Sequence, residues 1–170
     1  MQRKFCPACG RALAPATEPH RSQKCELCGA EHFRNSKPCA GALVVRGGRV
    51  LLVRRAIEPF KGHWDTPGGF LHENEHPEVG ARREILEETG LHVRLVGLFG
   101  IYMDCYGGDD ADEWTLNIYY IAEPMDDAEP RAADDASEIG WFAPDALPAT
   151  MAFKHERQVL EDWRARLRQS

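Results

Sequence analysis

Glu84, Glu87 and Glu88 stand at i, i+3 and i+4 in a stretch that a glycine turn at Gly69 and a lone Glu75 lead into. On a helix those three positions share one face, so three carboxylates crowd together. Like charges at that spacing repel unless something positive offsets them. Arg83, four residues before Glu87, is one counter-charge. A divalent cation is the other, and ligands that are all oxygen select Mg²⁺ or Mn²⁺ over zinc. A glycine turn, carboxylates for a hard cation and an adjacent basic residue describe a phosphate site. Metal at such a site neutralises phosphate charge and orients a water, so the chemistry to expect is phosphoanhydride hydrolysis.

A second group of residues could do different chemistry. Cys6-Pro-Ala-Cys9-Gly10 and Cys25-Glu-Leu-Cys28-Gly29 are two C-x2-C knuckles separated by 15 residues. That spacing predicts a tetrahedral zinc held by Cys6, Cys9, Cys25 and Cys28, with each glycine allowing the turn after its knuckle. Four sulfurs close the coordination sphere, so this zinc is structural. Two disulfides are the alternative, disfavoured because the N-terminus has no apolar run of a secretory signal. Cys39 and Cys105 stand alone among apolar neighbours and read as packing residues.

The elements that position these residues follow from pattern. Residues 1–38 carry a net charge of +4 and few aliphatics, and 39–170 carry −10. So short a ribbon must draw much of its stability from metal. Asn35-Ser-Lys-Pro38 reads as a linker, which puts the boundary at 1–38 and 39–170. Residues 40–46 and 49–55 are β-rich runs joined by Gly47-Gly48, a hairpin signal. Residues 56–68 form a loop. Pro77 suits the first turn of the acidic helix and Gly90 its C-terminal stop. Val79, Ile85 and Leu86 are expected to press that helix on a sheet. Strands are expected at 91–104, 113–122 and 138–142, one helical turn at 144–147, and a last helix at 153–168 with Phe153, Leu160, Trp163 and Leu167 in one stripe. Strands interleaved with helices make an α/β fold with a mixed sheet between helices.

The acidic stretch resembles the Nudix box, G-x5-E-x7-R-E-U-x-E-E-x-G-U with U aliphatic. Gly69, Glu75, Arg83, Glu84, Ile85, Glu87, Glu88, Gly90 and Leu91 fill its defined places. The resemblance implies an α/β/α sandwich that cleaves a nucleoside diphosphate linked to another moiety. It implies Glu87, Glu88 and the Gly68 carbonyl as metal ligands, with Glu84 either a further ligand or the base. Arg83 would orient carboxylates, and Glu75 would support the turn or an outer metal. Some members take a base from a later loop, for which Glu138 is the candidate here, with Asp135 behind it. His72 and Asn74 replace an acidic residue and a glycine common in the family, and Asn tolerates the left-handed backbone such a turn needs. His63, His72, His76 and His155 are candidates to bind phosphate, and Trp114, Tyr102 or Tyr106 to stack on a base. Trp64 is expected to pack under the box.

A four-cysteine zinc ribbon ahead of the box is similar to NADH pyrophosphatases and to zinc-ribbon members resembling plant FAD/ADP-ribose diphosphatases. The run Trp141-Phe-Ala-Pro-Asp-Ala-Leu-Pro148 followed by Ala152-Phe153 resembles the second group. The implied substrates are therefore ADP-ribose or FAD ahead of NADH, with Mg²⁺ or Mn²⁺ at the box and Zn²⁺ in the ribbon. Two other readings are clean-up of oxidised nucleoside triphosphates and a ligand-sensing Nudix domain with a nucleic-acid-binding ribbon. The expected partner is a small nucleotide derivative, a homodimer is compatible, and neither membrane nor nucleic acid is expected. Without a signal or an 18-residue apolar run, a cytoplasmic location is the default.

Overall fold

The computed structural model of the chain describes residues 3–15, 22–108 and 113–169. Its first unit, Met1–Ser36, is built around two matching knuckles. In each, the glycine N–H donates to the first cysteine's carbonyl, Gly10 to Cys6 at 2.8 Å and Gly29 to Cys25 at 2.9 Å. Both glycines take positive φ, 74° and 73°, the backbone that glycine adopts without strain. Two short strands, β1 (Gln23–Lys24) and β2 (Glu31–His32), pair antiparallel beside the second knuckle. Cys6, Gln23 and Cys25 are the buried residues among those described here, while Phe5, Leu27 and Phe33 are exposed. With so little apolar burial, the four sulfurs are the centre of this unit.

The second unit, Lys37–Ser170, opens with the expected hairpin. Strand β3 (Lys37–Arg46) turns through Gly47 and Gly48 into β4 (Arg49–Arg55), with Arg46 opposite Arg49. Both glycines have positive φ, as a two-residue turn of the twisted type requires. β3 already begins at Lys37, within the stretch expected to be linker. β5 (Trp64–Asp65) and β6 (Gly68–Phe70) lie within and just after the expected loop, and α1 (Pro77–Thr89) follows. Then come β7 (Val93–Cys105), β8 (Trp114–Pro124), β9 (Ala136–Phe142) and α2 (Lys154–Leu167). Residues 144–147 form a turn rather than a helix.

The sheet runs β5-β4-β3-β8-β7, with β6 paired to β3 and β9 to β4. β3 and β8 are parallel and the other pairs antiparallel, so the sheet is mixed. Central β3 is covered on both faces, which is why Ala40 to Val44 are buried without interruption. Ala40, Ala42, Val44 and Leu51 pack with Ala81 and Ile85 of α1. Leu43, Val50 and Leu52 pack with Val159, Leu160 and Trp163 of α2 on the opposite face. The result is an α/β/α sandwich, in which each fully buried leucine or isoleucine contributes about 1.5–3 kcal/mol.

Two expected packing stripes are corrected. Val79 and Leu86 are exposed, and α1 meets the sheet through Gly80, Ala81, Ile85, Glu88 and Thr89. Small residues at 80 and 81 let the helix come close, which turns Glu88 inward with Ile85. On α2, Leu167 is exposed, while His155 and Glu156 are buried beside Val159, Leu160 and Trp163. Among the described residues, no helix is long and apolar enough to cross a membrane.

Candidate active site

The site is assembled where β6 meets α1, and glycine makes the approach feasible. Gly68 lies opposite Gly41 of β3, and a Cβ on Gly68 would fall 2.7 Å from the Gly41 Cα. A Cβ on Gly69 would fall 2.6 Å from the Glu84 carboxyl group. These residues bring backbone against backbone and backbone against carboxylate, so side chains have no room there. Asn74 has φ 62°, and the chain turns there as expected of an asparagine. α1 then starts at Pro77, with His76 Nδ1 accepting from the Glu78 N–H at 3.3 Å. It stops at Gly90, whose φ is 71° and whose N–H donates to Leu86 at 2.8 Å.

Arg83 binds three carboxylates at once. Its Nε and Nη2 donate to Glu75 at 2.8 Å each, and its Nη1 donates to Glu84 at 2.7 Å and Glu87 at 2.9 Å. Nη2 also donates to the Phe70 carbonyl at 3.1 Å, tying the helix to β6. Glu75 accepts further from the His72 N–H at 2.9 Å. Hydrogen bonds from Arg83, and then that from His72, lower the Glu75 pKa to about 2. Glu75 is thus a fixed anion that holds Arg83, and Arg83 aims the other two carboxylates.

Glu88 has different surroundings. It is buried, and its Oε2 accepts from the Gly68 N–H at 3.1 Å. Burial, and then the charge of Asp65, raise its pKa well above the ordinary carboxylate value. Burial also raises that of Glu84, against the pull of Arg83. Burial and neighbouring negative charge both disfavour the charged carboxylate, and a bound cation would favour it. The donor set, three carboxylates beside the backbone of Gly68 and Gly69, is all oxygen and fits a hard divalent ion.

Glu84, Glu87 and Glu88 line one wall of a cavity of about 370 Å³. Thr115, Asn117 and Tyr119 of β8 line it too, as do Arg55, Asp65 and the rings of Phe70, Tyr106 and Phe153. Arg55 donates to Asp65 at 2.8 Å and lies over the Phe153 ring at 5.1 Å. Tyr106 stacks on Phe153 with centroids 5.6 Å apart. Glutamates at one wall, an arginine and aromatic rings suit a charged phosphate joined to a flat or sugar-like group.

A family model described as NUDIX domain matches residues 35–163. An ADP-ribose pyrophosphatase of Methanocaldococcus jannaschii is 34% identical over 121 residues, 71% of this chain and 69% of the relative. This chain belongs to the Nudix family. A MutT-like protein of Streptomyces ambofaciens is 32% identical over 127 residues, 75% of this chain and 76% of the relative. The crystal structure of a NUDIX hydrolase from Nitrosomonas europaea matches with TM-score 0.82 at 25% identity, over 99% of this chain and 94% of that one. The chain is a Nudix hydrolase, of a family of pyrophosphohydrolases.

Within the Nudix unit, Gly68, Arg83, Glu84, Glu87, Glu88 and His72 all line the cavity, and Glu75 stands behind Arg83. Glu138 is not brought to it. It projects from β9 and pairs with Arg54 at 3.1 Å on the exposed side, whereas Asp135 lines the cavity. Of the aromatics, Tyr106 reaches the cavity, Tyr102 donates to Asp162 at 2.8 Å, and Trp114 is half exposed away from it. Trp64 packs edge-on against Phe142 in the α2-side core, not under the box. His76 caps α1, and His63 lies against the Phe60 carbonyl at 3.2 Å. Cys39 lines the cavity rather than being fully buried, and burial pushes its thiol up to about 12, so it stays protonated.

His155, like His72, lines the cavity, and with Thr66 and Tyr119, which line it too, it joins a polar network centred on Glu156, a residue not among the sequence candidates. Glu156 accepts from the Thr66 N–H at 2.9 Å, the Thr66 hydroxyl at 2.5 Å and the Tyr119 hydroxyl at 2.8 Å. His155 Nε2 lies 3.0 Å from the same Tyr119 hydroxyl, and its backbone N–H and Nδ1 donate to Asp104 at 3.0 and 2.9 Å. One signal was available: Glu156 precedes Val159, Leu160 and Trp163 by three, four and seven residues, which puts it on the buried face.

In the ribbon unit, the Sγ atoms of Cys6, Cys9, Cys25 and Cys28 all lie within 4.8 Å of one another. Cys9 and Cys25 are 3.6 Å apart and Cys6 and Cys28 3.7 Å, and all four cysteines are unbridged. His32 Nε2, outside the four-cysteine set, lies 3.2 Å from the Cys6 sulfur.

Proposed function

We propose that the Nudix unit hydrolyses the pyrophosphate of a nucleoside diphosphate linked to a second moiety, with ADP-ribose or FAD ahead of NADH. The observation that carries this is the convergence of Glu84, Glu87 and Glu88 on one wall of the cavity beside Gly68 and Gly69. Mg²⁺ or Mn²⁺ held there would neutralise phosphate charge and make a water nucleophilic near neutral pH. Glu87, Glu88 and the Gly68 carbonyl would hold it, and Glu84 would be either a further ligand or the base. Arg83, held by Glu75, keeps Glu84 and Glu87 in register. Arg55 faces the cavity, where it can meet phosphate, and the Tyr106 and Phe70 rings offer apolar faces to a base or sugar.

The ADP-ribose preference is supported by the relative that bears that activity in its name and by the C-terminal run around Trp141. The presence of every box glutamate speaks against a purely ligand-sensing role, and because the box specifies the bond cleaved and not the base, triphosphates with an oxidised base are the second substrate class to test.

The N-terminal ribbon would hold a structural zinc ahead of the hydrolase domain. A tetrahedral zinc with Zn–S bonds of about 2.3 Å needs sulfurs about 3.8 Å apart, close to the 3.6 and 3.7 Å separations. A cytoplasmic location and a nucleotide-derivative partner belong to the same reading.

The test is a panel of ADP-ribose, FAD, NADH, diadenosine polyphosphates and 8-oxo-dGTP with Mg²⁺ and with Mn²⁺, products identified. A Glu87→Gln/Glu88→Gln variant that hydrolysed at the wild-type rate would sink the mechanism.

A further inference from the structure

Glu156 is 1% exposed, among the most deeply buried groups of the chain. Burial raises its pKa well above the ordinary carboxylate value, and Asp65 beside it raises it further. Such a group is costly to keep where an apolar side chain would fill the same space. The core of α2 does not require it, because Val159, Leu160 and Trp163 already supply the apolar contact. Its partners show where it acts.

The N–H of Thr66 donates to Glu156 Oε2 and its hydroxyl to Oε1. Thr66 is itself 2% exposed and is followed by Pro67, Gly68 and Gly69. Pro67 has its φ restricted by its ring, and its carbonyl accepts from the Ala42 N–H at 3.2 Å. The next N–H, of Gly68, is the one that binds Glu88. A hold on Thr66 is therefore passed through one stiff residue to the backbone that meets the box. The other end does not give either, because His155 ties the start of α2 to Asp104 on β7 by backbone and ring.

We propose that Glu156 is a positioning residue for the cation site: it clamps Thr66 and thereby fixes the Gly68–Gly69 backbone against Glu84 and Glu88. This rests on the reading that the box glutamates hold a divalent cation for hydrolysis. Glu156 does not line the cavity and acts through Thr66, which does. A role confined to folding would move stability alone, whereas this role moves cation affinity and turnover.

The experiment compares the wild type with Glu156→Gln, Thr66→Val and Val159→Ala in the full chain. Val159 is a fully buried residue of the same helix outside the network, so it controls for lost stability. Mn²⁺ binding is followed by the electron paramagnetic resonance of the free ion, which needs no turnover. Thermal melting, kcat, KM and the half-saturating Mg²⁺ concentration are measured alongside.

Glu156→Gln is expected to weaken Mn²⁺ binding about tenfold and lower kcat by ~10–100-fold, with KM changing less than about threefold. Thr66→Val, which keeps the backbone donor, shifts both in the same direction by less. Val159→Ala melts earlier with Mn²⁺ affinity and kcat within about twofold of wild type. Wild-type Mn²⁺ affinity and kcat in both Glu156→Gln and Thr66→Val overturn the proposal, and if Glu156→Gln does not fold, Thr66→Val alone decides. If the wild type binds Mn²⁺ but cleaves nothing in the substrate panel, the substrate reading fails while the Mn²⁺ affinities still judge Glu156. A wild type that binds no Mn²⁺ overturns both.

Discussion

Gly69 and Glu84 touch as backbone and carboxylate, with a side chain excluded between them: a Cβ at 69 would fall 2.6 Å from the carboxyl carbon and from one of its oxygens. The first glycine of the box is thus needed for the space its missing side chain leaves to a glutamate of the following helix. Its φ is not in the left-handed region, so the demand is one of close approach.

Gly69→Ala is therefore expected to displace the Glu84 carboxylate and lower kcat by ~100-fold, the scale of an ångström-sized misplacement. The obstructed group is the end of a side chain, so the fold should tolerate it, with a Tm loss under about 4 °C. Steady-state kinetics paired with a melting curve check this, and a large Tm loss with kcat intact would contradict it.

Glu75→Gln should show a pH signature. The Glu75 pKa is lowered from 4.5 to about 2 by Arg83 and the His72 N–H. A depressed carboxylate contributes stability that is complete above its unfolded pKa and drains away as pH falls through the folded one. The variant should thus be less stable than wild type at pH 7, and the gap should close between about pH 4.5 and 2. Urea midpoints across that range read it directly; a gap that does not change with pH would refute the assignment.

Asp135 and Glu138 can be separated by a pair of variants. Glu138→Gln removes an exposed pair with Arg54 and should leave kcat/KM within about threefold, with under ~1 kcal/mol lost in stability. Asp135→Asn, at the cavity, should cost ~100-fold or more if it is the base. The reverse order would return Glu138 to the site. Wild-type rates in Asp135→Asn would leave Glu84 as the carboxylate to test.

For the ribbon, elemental analysis of freshly purified protein should find about one zinc per chain. Cys25→Ser should reduce it to well under one, and a chelator should collapse the amide resonances of residues 3–15 and 22–36. Full dispersion of those resonances in metal-free protein would show that the ribbon folds without zinc.

Much of this molecule was legible before its structure. The shared face of Glu84, Glu87 and Glu88, the Gly47-Gly48 hairpin, the limits of α1 at Pro77 and Gly90, and the two knuckles all depend on local rules: helix periodicity, glycine and proline backbone limits, and ligand spacing. Such rules act over a few residues, so a linear reading captures them. That is how Glu84, Glu87 and Glu88 were placed on one face of α1.

Tertiary structure decided what those local pieces meet. Glu138 and Asp135 are three residues apart, and only the pairing of β9 with β4 sends the first to Arg54 and leaves the second at the cavity. Val79 and Leu86 look like core until Gly80 and Ala81 bring a different side of α1 to the sheet. Periodicity can put Glu156 on the buried face of α2, but only the docking of α2 sets it on Thr66, 90 residues away in sequence. Contacts of that range depend on which elements become neighbours. The sequence by itself determined the acidic face of α1 and the bond it is suited to break, and the fold determined which groups hold that face in place.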